Sequence, residues 1–200
     1  MFTITRMSPR PRLASDTDIL MAVFRAVARI GPNALTLADV ATEAGVSAPA
    51  LVKRFGSKRA LLLAAAADAA AGHALLFARM REQHDSPLQC LLSIGQCLAV
   101  MGATPAEVAR SLEFFSLELT DPEFREHART GARTFLAGLR ALVRDAIGVR
   151  ELRECDAAAV AHALQATIQG SLLDWAIQGK GALVAWIRRD LRSVLDGYIR

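Results

Sequence analysis

The hydrophobic pattern of the chain is helical almost throughout. Apolar residues recur at intervals of three and four positions, and no stretch shows the strict alternation typical of a half-buried strand. Glycine, proline and acidic residues interrupt this pattern at 31–32, 85–87, 102–105, 121–122, 148–155 and 179–181. The pattern therefore predicts an all-α protein in which about five further helices follow the one that starts at Ser57.

Residues 36–58 predict two short helices joined by a sharp turn. Thr36 can cap the first helix, and Gly45 follows its last apolar residue, where a left-handed backbone is easiest without a Cβ atom. Ser47 can cap the second helix, which Gly56 ends. The predicted inner faces hold Leu37, Val40, Ala41 and Ala44 in the first helix and Ala48, Leu51 and Phe55 in the second. This layout is that of a helix-turn-helix, which presents its second helix to the DNA major groove.

The outward face of the second short helix carries Pro49, Ala50, Lys53 and Arg54. Ser57 can cap a third helix and thereby places Lys58 and Arg59 at its amino end. A positive helix terminus and two cations together attract phosphate. A helix of about eight residues is about 12 Å long, which is close to the width of the major groove.

The positive charge of the chain lies in its amino-terminal part. Residues 1–60 hold nine Lys or Arg against four Asp or Glu, a balance of +5, whereas residues 61–200 hold fifteen against sixteen, a balance of −1. A basic surface on a nearly neutral body indicates a polyanionic partner. The alternative is charge that serves solubility only.

Composition indicates a soluble protein of the cytoplasm. Apolar residues make up 52% of the 200 residues, and the three cysteines are too few and too loosely spaced for a disulfide framework. No secretory signal is recognisable at the amino terminus. The most apolar stretch, residues 60–78, contains Asp68, Gly72 and His73, so we interpret it as a buried helix and expect no membrane partner.

Residues 16–62 resemble the DNA-binding domain of the TetR family of bacterial transcriptional regulators. The resemblance rests on the small residue Ala41, the corner AGVS at 44–47, and the run LVKRFGSKRALL at 51–62, in matching order and spacing. The family commonly has an aromatic residue where this chain has Val52, and often a threonine where it has Ala50. The operator therefore cannot be taken over from relatives. The alternative is an ordinary helical hairpin in an all-α protein.

The composition of residues 1–15 is too polar and too broken by prolines for a helix, so we expect a flexible basic arm there. The resemblance implies a helix-turn-helix domain over 16–60 and a helical ligand-binding and dimerisation domain over 61–200. The arm holds Arg6, Arg10 and Arg12 and could lie along the DNA backbone, or it could be a solvated tail.

The predicted DNA contacts fall on the two short helices and the helix that follows them. We expect Ser47, Lys53, Arg54 and Lys58 to bind phosphates or base edges, and Thr36 to touch the backbone. The small apolar residues Ala48, Pro49 and Ala50 would approach the bases, including thymine methyl groups.

The final two helices, about 156–178 and 183–199, are the predicted dimer surface. A stripe on the last helix is formed by Leu183, Ile187, Leu191, Val194, Leu195 and Tyr198. The preceding helix has apolar residues on more than one side: Leu164, Ile168, Leu172, Leu173, Trp175 and Ala176. In the resembling family these helices pair into a four-helix bundle, and twofold pairing would place two recognition helices about 34 to 36 Å apart. The alternative is a core within one chain.

The resemblance also implies a small-molecule pocket among the central helices, which no motif in the sequence marks. The candidate apolar walls are Phe77, Met80, Phe114, Phe115 and Trp175, and the candidate polar anchors are His84, His127 and Gln169. With so few polar candidates, the expected effector is a hydrophobic small molecule. The alternative for each residue is ordinary packing or surface exposure.

An enzyme finds no support in the sequence, so we expect no catalytic residue, no cofactor and no metal. There is no nucleophile elbow and no phosphate-binding glycine loop, and Glu113 and Glu118 lie on different faces of one helix. Cys90 and Cys97 are separated by roughly 10.5 Å along a helix, with no histidine at ligand spacing.

The hypothesis is a homodimeric, ligand-responsive DNA-binding regulator, more a repressor than an activator, with a near-palindromic operator. The alternative is a helical adaptor or small-molecule-binding protein without sequence-specific DNA binding. That alternative does not explain the cations at positions 53, 54, 58 and 59.

Overall fold

The computed structural model describes residues 14–200, which form nine α-helices and one short 3-10 helix. The helices are α1 (Asp16–Ile30), α2 (Leu37–Ala44), α3 (Ala48–Phe55), α4 (Lys58–Gln83), α5 (Pro87–Cys97), α6 (Pro105–Thr120), α7 (Pro122–Gly148), α8 (Ala157–Gln178) and α9 (Leu183–Leu195), with the 3-10 helix at Leu98–Met101. The predicted all-α fold is confirmed, as are the five α-helices after α4. The predicted basic arm lies outside the described residues except for Ala14 and Ser15.

The predicted caps at the helix-turn-helix are confirmed. The hydroxyl of Thr36 accepts a hydrogen bond from the backbone N–H of Asp39, and that of Ser47 accepts one from Ala50. Gly45 ends α2 in the left-handed conformation, with φ 67° and ψ 32°. Ser57 caps α4 through the N–H of Ala60. These local interactions satisfy N–H groups that a helix start leaves without partners, and they fix where α2, α3 and α4 begin.

The buried side chains form two cores. The N-terminal core joins α1–α3 and the first turns of α4 to one side chain each from α6 and α7, namely Phe114 and Phe124. Phe114 meets Phe24 of α1 and Phe124 edge to face, with ring centroids 5.9 Å and 5.8 Å apart. The C-terminal core is built from α5, α7, α8 and α9 together with the later turns of α4, Val108 of α6 and Leu152 after α7.

Helix α4 belongs to both cores. Leu61, Leu62, Ala65 and Ala66 lie in the N-terminal core, and Phe77 and Met80 lie in the C-terminal core. Its length and a mean hydropathy of 1.7 over its most apolar window would by themselves let α4 cross a membrane, a test that core helices of soluble proteins also pass. Because α4 packs along α7 and against α1, it connects the N-terminal helices to the remaining helices directly.

Two glycines bring α7 close to α4. A Cβ atom on Gly138 would lie 2.2 Å from the Phe77 ring, and one on Gly131 would lie 3.3 Å from the Cβ of Ala70. Both glycines lie within the single helix that runs from Pro122 to Gly148. Their role is close approach, because α4 side chains occupy the space that a larger residue would need.

Candidate DNA-binding surface

Helix α3 turns one apolar side inward and leaves the other side free. Leu51 is fully buried in the N-terminal core, and Ala48 and Phe55 pack against it. The predicted outward residues, Pro49, Ala50, Lys53 and Arg54, are all exposed. Val52, at the position where the family commonly has an aromatic residue, is also exposed. The exposed side of α3 is therefore short and mostly apolar, with two cations.

The cations on α3 and at the start of α4 have different surroundings; they are Lys53, Arg54, Lys58 and Arg59. Within residues 14–200, no ion pair or hydrogen bond involves the Lys53 ammonium group. Arg54 forms an ion pair with Asp16 at the start of α1 and donates a hydrogen bond to the carbonyl of Ala14 (2.9 Å). Lys58 donates to the carbonyl of Asn33 (2.9 Å), which leaves its charge unneutralised. Lys53 is therefore the α3 cation most available to a phosphate.

Arg59 points toward α7 rather than toward the exposed side of α3. Its guanidinium pairs with Asp121 (2.6 Å) and Glu123 (2.5 Å) and lies 5.4 Å from the centre of the Phe124 ring. The hydrogen bonds to Asp121 and Glu123 raise the pKa of Arg59, and the Arg59 side chain lowers the pKa of Asp121. Arg59 thus links the start of α4 to the start of α7. The sequence does not indicate this contact, because the partners lie 62 and 64 positions away.

The hydroxyls of the predicted site are engaged in helix caps. Besides accepting from the N–H of Asp39, Thr36 donates to the Asp39 carboxylate (2.6 Å), which also accepts from the Thr36 N–H. Hydrogen bonds from Thr36 hold the pKa of Asp39 below its usual value, so this carboxylate is ionised at neutral pH. Ser47 and Thr36 remain exposed. The Ser47 hydroxyl accepts in its cap and can still donate its proton, whereas the Thr36 hydroxyl donates its proton to Asp39.

The predicted ligand residues occupy different parts of the structure. Phe77, Met80 and Trp175 are buried in the C-terminal core, Phe114 is in the N-terminal core, and Phe115 and Gln169 are exposed. The predicted anchors His84 and His127 are half-buried. An open cavity of about 280 Å³ lies elsewhere, between the end of α7 and the start of α8. It is lined by Arg140, Arg144, Ile147 and residues 154–158, so none of the predicted ligand residues borders it.

Two polar side chains on α6 have surroundings that the sequence did not indicate. Arg110 donates to the carbonyl of Ala28 near the end of α1 (2.7 Å), a second polar link between the N-terminal helices and the rest of the chain. Glu118 is half-buried, and burial raises its pKa to about 7. No pattern in the sequence signals either contact, because both depend on how α6 packs.

The helices predicted to form the dimer surface carry two kinds of apolar stripe. On α9, Leu183, Ile187, Leu191 and Leu195 are buried within their own chain. On α8, the exposed apolar side chains Leu173 (56% exposed) and Ile177 (75%) extend a row of small exposed residues. That row consists of Ala159, Ala163, Ala166 and Gly170, so its spacing alternates between four and three positions. This α8 seam, residues 159, 163, 166, 170, 173 and 177, has the period of a helix that packs along another helix.

Comparison with known proteins identifies the family. Residues 19–65 match the family model described as bacterial regulatory proteins, tetR family, and residues 91–200 match the model described as BetI-type transcriptional repressor, C-terminal. No curated protein gave a significant sequence match.

Solved structures share the fold. A TetR-family transcriptional regulator from Agrobacterium tumefaciens matches with a TM-score of 0.70 and 20% identity, over 92% of this chain and 97% of that chain. SmeT, the repressor of the Stenotrophomonas maltophilia multidrug efflux pump SmeDEF, matches with a TM-score of 0.62 and 22% identity, over 94% and 91%. FadR from Bacillus subtilis, in complex with stearoyl-CoA, matches with a TM-score of 0.64 and 17% identity, over 92% and 99%. With family models covering more than half of its residues, the chain belongs to the TetR family of bacterial transcriptional regulators.

Proposed function

We propose that the chain is a cytoplasmic, ligand-responsive repressor that binds a near-palindromic operator as a homodimer. The observation that carries this proposal is α3, a helix of eight residues that is fixed on its inner side by Leu51 and exposed on its outer side. A rigidly held short helix with a free cation fits the major groove. Membership of the TetR family supports the same function.

The DNA contacts that we propose are those expected from the sequence. Lys53 and Lys58 bind phosphates, and Thr36 and Ser47 approach the backbone from the starts of α2 and α3. Arg54 joins them when a phosphate displaces Asp16 from its side chain. That exchange costs little because exposed ion pairs contribute little to stability. Pro49 and Ala50 face the base edges, whereas Ala48, which the sequence analysis also expected there, packs against the N-terminal core.

The dimer that we propose forms through α8 and α9, with the α8 seam at its centre. The seam exposes two large aliphatic side chains beside residues small enough for close helix approach. An isologous pairing places the same seam on both subunits. Twofold symmetry then lets two α3 helices enter successive major grooves, about 34 to 36 Å apart.

The effector that we propose is a hydrophobic small molecule bound among the helices around the C-terminal core, near Phe77, Met80 and Trp175. The relative FadR from Bacillus subtilis is described in complex with stearoyl-CoA, a long-chain acyl compound. Phe114, Phe115 and Gln169 belong to the same proposed site if α6 and α8 separate around the ligand. Binding changes the spacing of the two α3 helices, and coupling of this kind is typically worth about 1 to 3 kcal/mol.

The DNA-binding part is tested with the purified full-length chain and a library of random-sequence duplexes. Repeated selection should enrich a near-palindromic sequence, and a mobility shift should show that binding falls steeply with salt. Lys53→Ala should weaken binding to all sequences and reduce the slope of log affinity against log salt by about 0.9. Lys180→Ala, at an exposed lysine between α8 and α9, is the matched control and should leave the slope unchanged. Failure to enrich any sequence would favour a small-molecule-binding protein without sequence-specific DNA binding.

The ligand-responsive part is tested separately. Thermal-shift screening against hydrophobic metabolites, long-chain acyl-CoA among them, should find a compound that raises Tm. The same compound should lower operator affinity by about fivefold to 150-fold. A compound that binds tightly but leaves operator affinity unaltered would contradict the repressor mechanism.

A further inference from the structure

We infer that the exposed side chain of Val52, together with Pro49, makes the operator recognition of this protein depend on the C5-methyl groups of thymine. The inference rests on the proposed DNA-binding function and adds the chemistry by which bases are told apart. It begins from an unexpected feature of α3, which is a β-branched apolar side chain that is 49% exposed on a helix of only eight residues.

Val52 is placed to share a surface with Pro49. The two residues are three positions apart on one helix, so their side chains are neighbours, about 5 to 6 Å apart at Cβ. Both are exposed, and Val52 does not belong to the N-terminal core that holds Leu51. The pair therefore presents a continuous apolar edge along the outer side of α3. Ala50 extends the apolar area on the other flank of Pro49.

The polar groups around this edge are poorly suited to direct recognition of bases. The Ser47 hydroxyl caps α3, and the Thr36 hydroxyl caps α2 and donates to Asp39. Arg54 and Lys58 are the side chains that we assign to phosphates rather than to bases. In the free protein Arg54 binds Asp16 and the carbonyl of Ala14, and Lys58 donates to the carbonyl of Asn33. Of the two α3 cations, only Lys53 forms no ion pair or hydrogen bond within residues 14–200. Its ammonium group is a point charge and cannot form the paired hydrogen bonds by which an arginine identifies a base.

The base edge that such a surface can distinguish is the thymine methyl group. In the major groove, thymine presents this apolar group where the other bases present hydrogen-bonding atoms or a C–H. The side chains of valine and proline form no hydrogen bonds with a base. Their contact with a methyl group is favourable because it removes apolar surface from water. Burial of one methyl group corresponds to about a fourfold change in affinity. In a twofold-symmetric operator, the loss of both symmetry-related methyl groups should lower the affinity by about sixteenfold.

The test removes single methyl groups from the DNA. The probe is the duplex enriched from the random library, in which each thymine pair is replaced in turn by deoxyuracil, which keeps the base pair and removes only the methyl group. We expect at least one symmetry-related position where uracil weakens the wild-type protein by about sixteenfold. Val52→Ala should bind the thymine operator more weakly and should lose most of its ability to distinguish thymine from uracil at that position.

Two controls separate this effect from a general loss of DNA binding. Val149→Ala makes the same change at a valine that is 60% exposed just after α7, and it should distinguish thymine from uracil as the wild type does. The salt slope of Val52→Ala should equal that of the wild type, because no phosphate contact has been removed. Alanine is a better helix former than valine, so α3 should remain folded, which circular dichroism and Tm verify.

The outcomes distinguish the inference from the function on which it rests. If no sequence is enriched, the DNA-binding proposal itself fails. If a sequence is enriched but no uracil substitution weakens binding, the protein distinguishes bases by other groups and the inference is wrong. If uracil weakens binding equally for wild type and Val52→Ala, the methyl group is sensed elsewhere on the surface, which also overturns the assignment to Val52.

Discussion

Gly138 offers the sharpest test of how α4 and α7 pack. Substitution by alanine would place a Cβ atom 2.2 Å from Cδ2 of Phe77, where ordinary contacts lie at 3.4 to 4 Å. The ring of Phe77 is buried in the C-terminal core, so it cannot move into solvent. Overpacking costs typically about 1 to 3 kcal/mol, and the severe overlap at 2.2 Å places this case at about 3 kcal/mol. Alanine offsets about 1 kcal/mol of that cost by its better helix propensity. We expect Gly138→Ala to be destabilised by about 2 kcal/mol.

Gly72 provides a matched control on the opposite helix of the pair. It lies in the interior of α4, and a Cβ atom there would meet nothing within 4 Å. Gly72→Ala should therefore be stabilised by about 1 kcal/mol, because only the helix-propensity term changes. At about 2 to 4 °C per kcal/mol, the Tm values of the two variants should differ by about 6 to 12 °C.

The assay is thermal and chemical unfolding of full-length protein at one fixed concentration, since association would shift Tm. A second variant, Gly138→Ala combined with Phe77→Ala, should be more stable than the sum of the two single changes predicts, because the new methyl group then fills part of the vacated space. Equal shifts for Gly138→Ala and Gly72→Ala, or strict additivity in the double variant, would refute the close approach of α4 and α7.

Three further predictions address other parts of the molecule. Arg59→Met should leave the salt slope of DNA binding unchanged while weakening the link to Asp121 and Glu123; a slope reduced by about one unit would instead assign Arg59 to a phosphate. Because burial raises the pKa of Glu118 to about 7 from an ordinary value of 4.5, its stabilising contribution is complete below pH 4.5 and is lost as the pH rises to 7. Glu118→Gln should therefore match the wild type in unfolding free energy at pH 4 and exceed it at pH 8; an equal difference at both pH values would disprove the raised pKa. Leu173→Glu should convert the proposed dimer to monomer in analytical ultracentrifugation, whereas Leu75→Glu, at an exposed leucine of α4, should not; an intact Leu173→Glu dimer would exclude the α8 seam.

What the sequence predicted well was local. The caps at Thr36 and Ser47 and the left-handed turn at Gly45 depend on residues within four positions of one another, so their chemistry is visible in the sequence. The exposed side of α3 was also predictable, because a short amphipathic helix has only one way to bury Leu51 and Phe55.

What the sequence could not give was the identity of distant partners. Arg59 was assigned to the phosphate-binding end because it follows Lys58, yet its partners lie 62 and 64 positions away. The stripe on α9 was predicted as part of the dimer surface, yet four of its leucine and isoleucine side chains are buried within their own chain. Periodicity does not tell a helix's own core from a partner's surface. The close approach of α7 to α4 was not predictable either, because the sequence does not show that Phe77 occupies the space beside Gly138.

Phe114 and Phe124 come from α6 and α7 but complete the N-terminal core. A fragment cut just after the third helix would therefore expose a cavity where two aromatic rings had been, and it should not survive as an independently folded module. Heat should melt the whole chain in a single cooperative transition. A compound that stabilises the helices of the C-terminal core then also protects α3 from unfolding, whether or not it changes the position of α3.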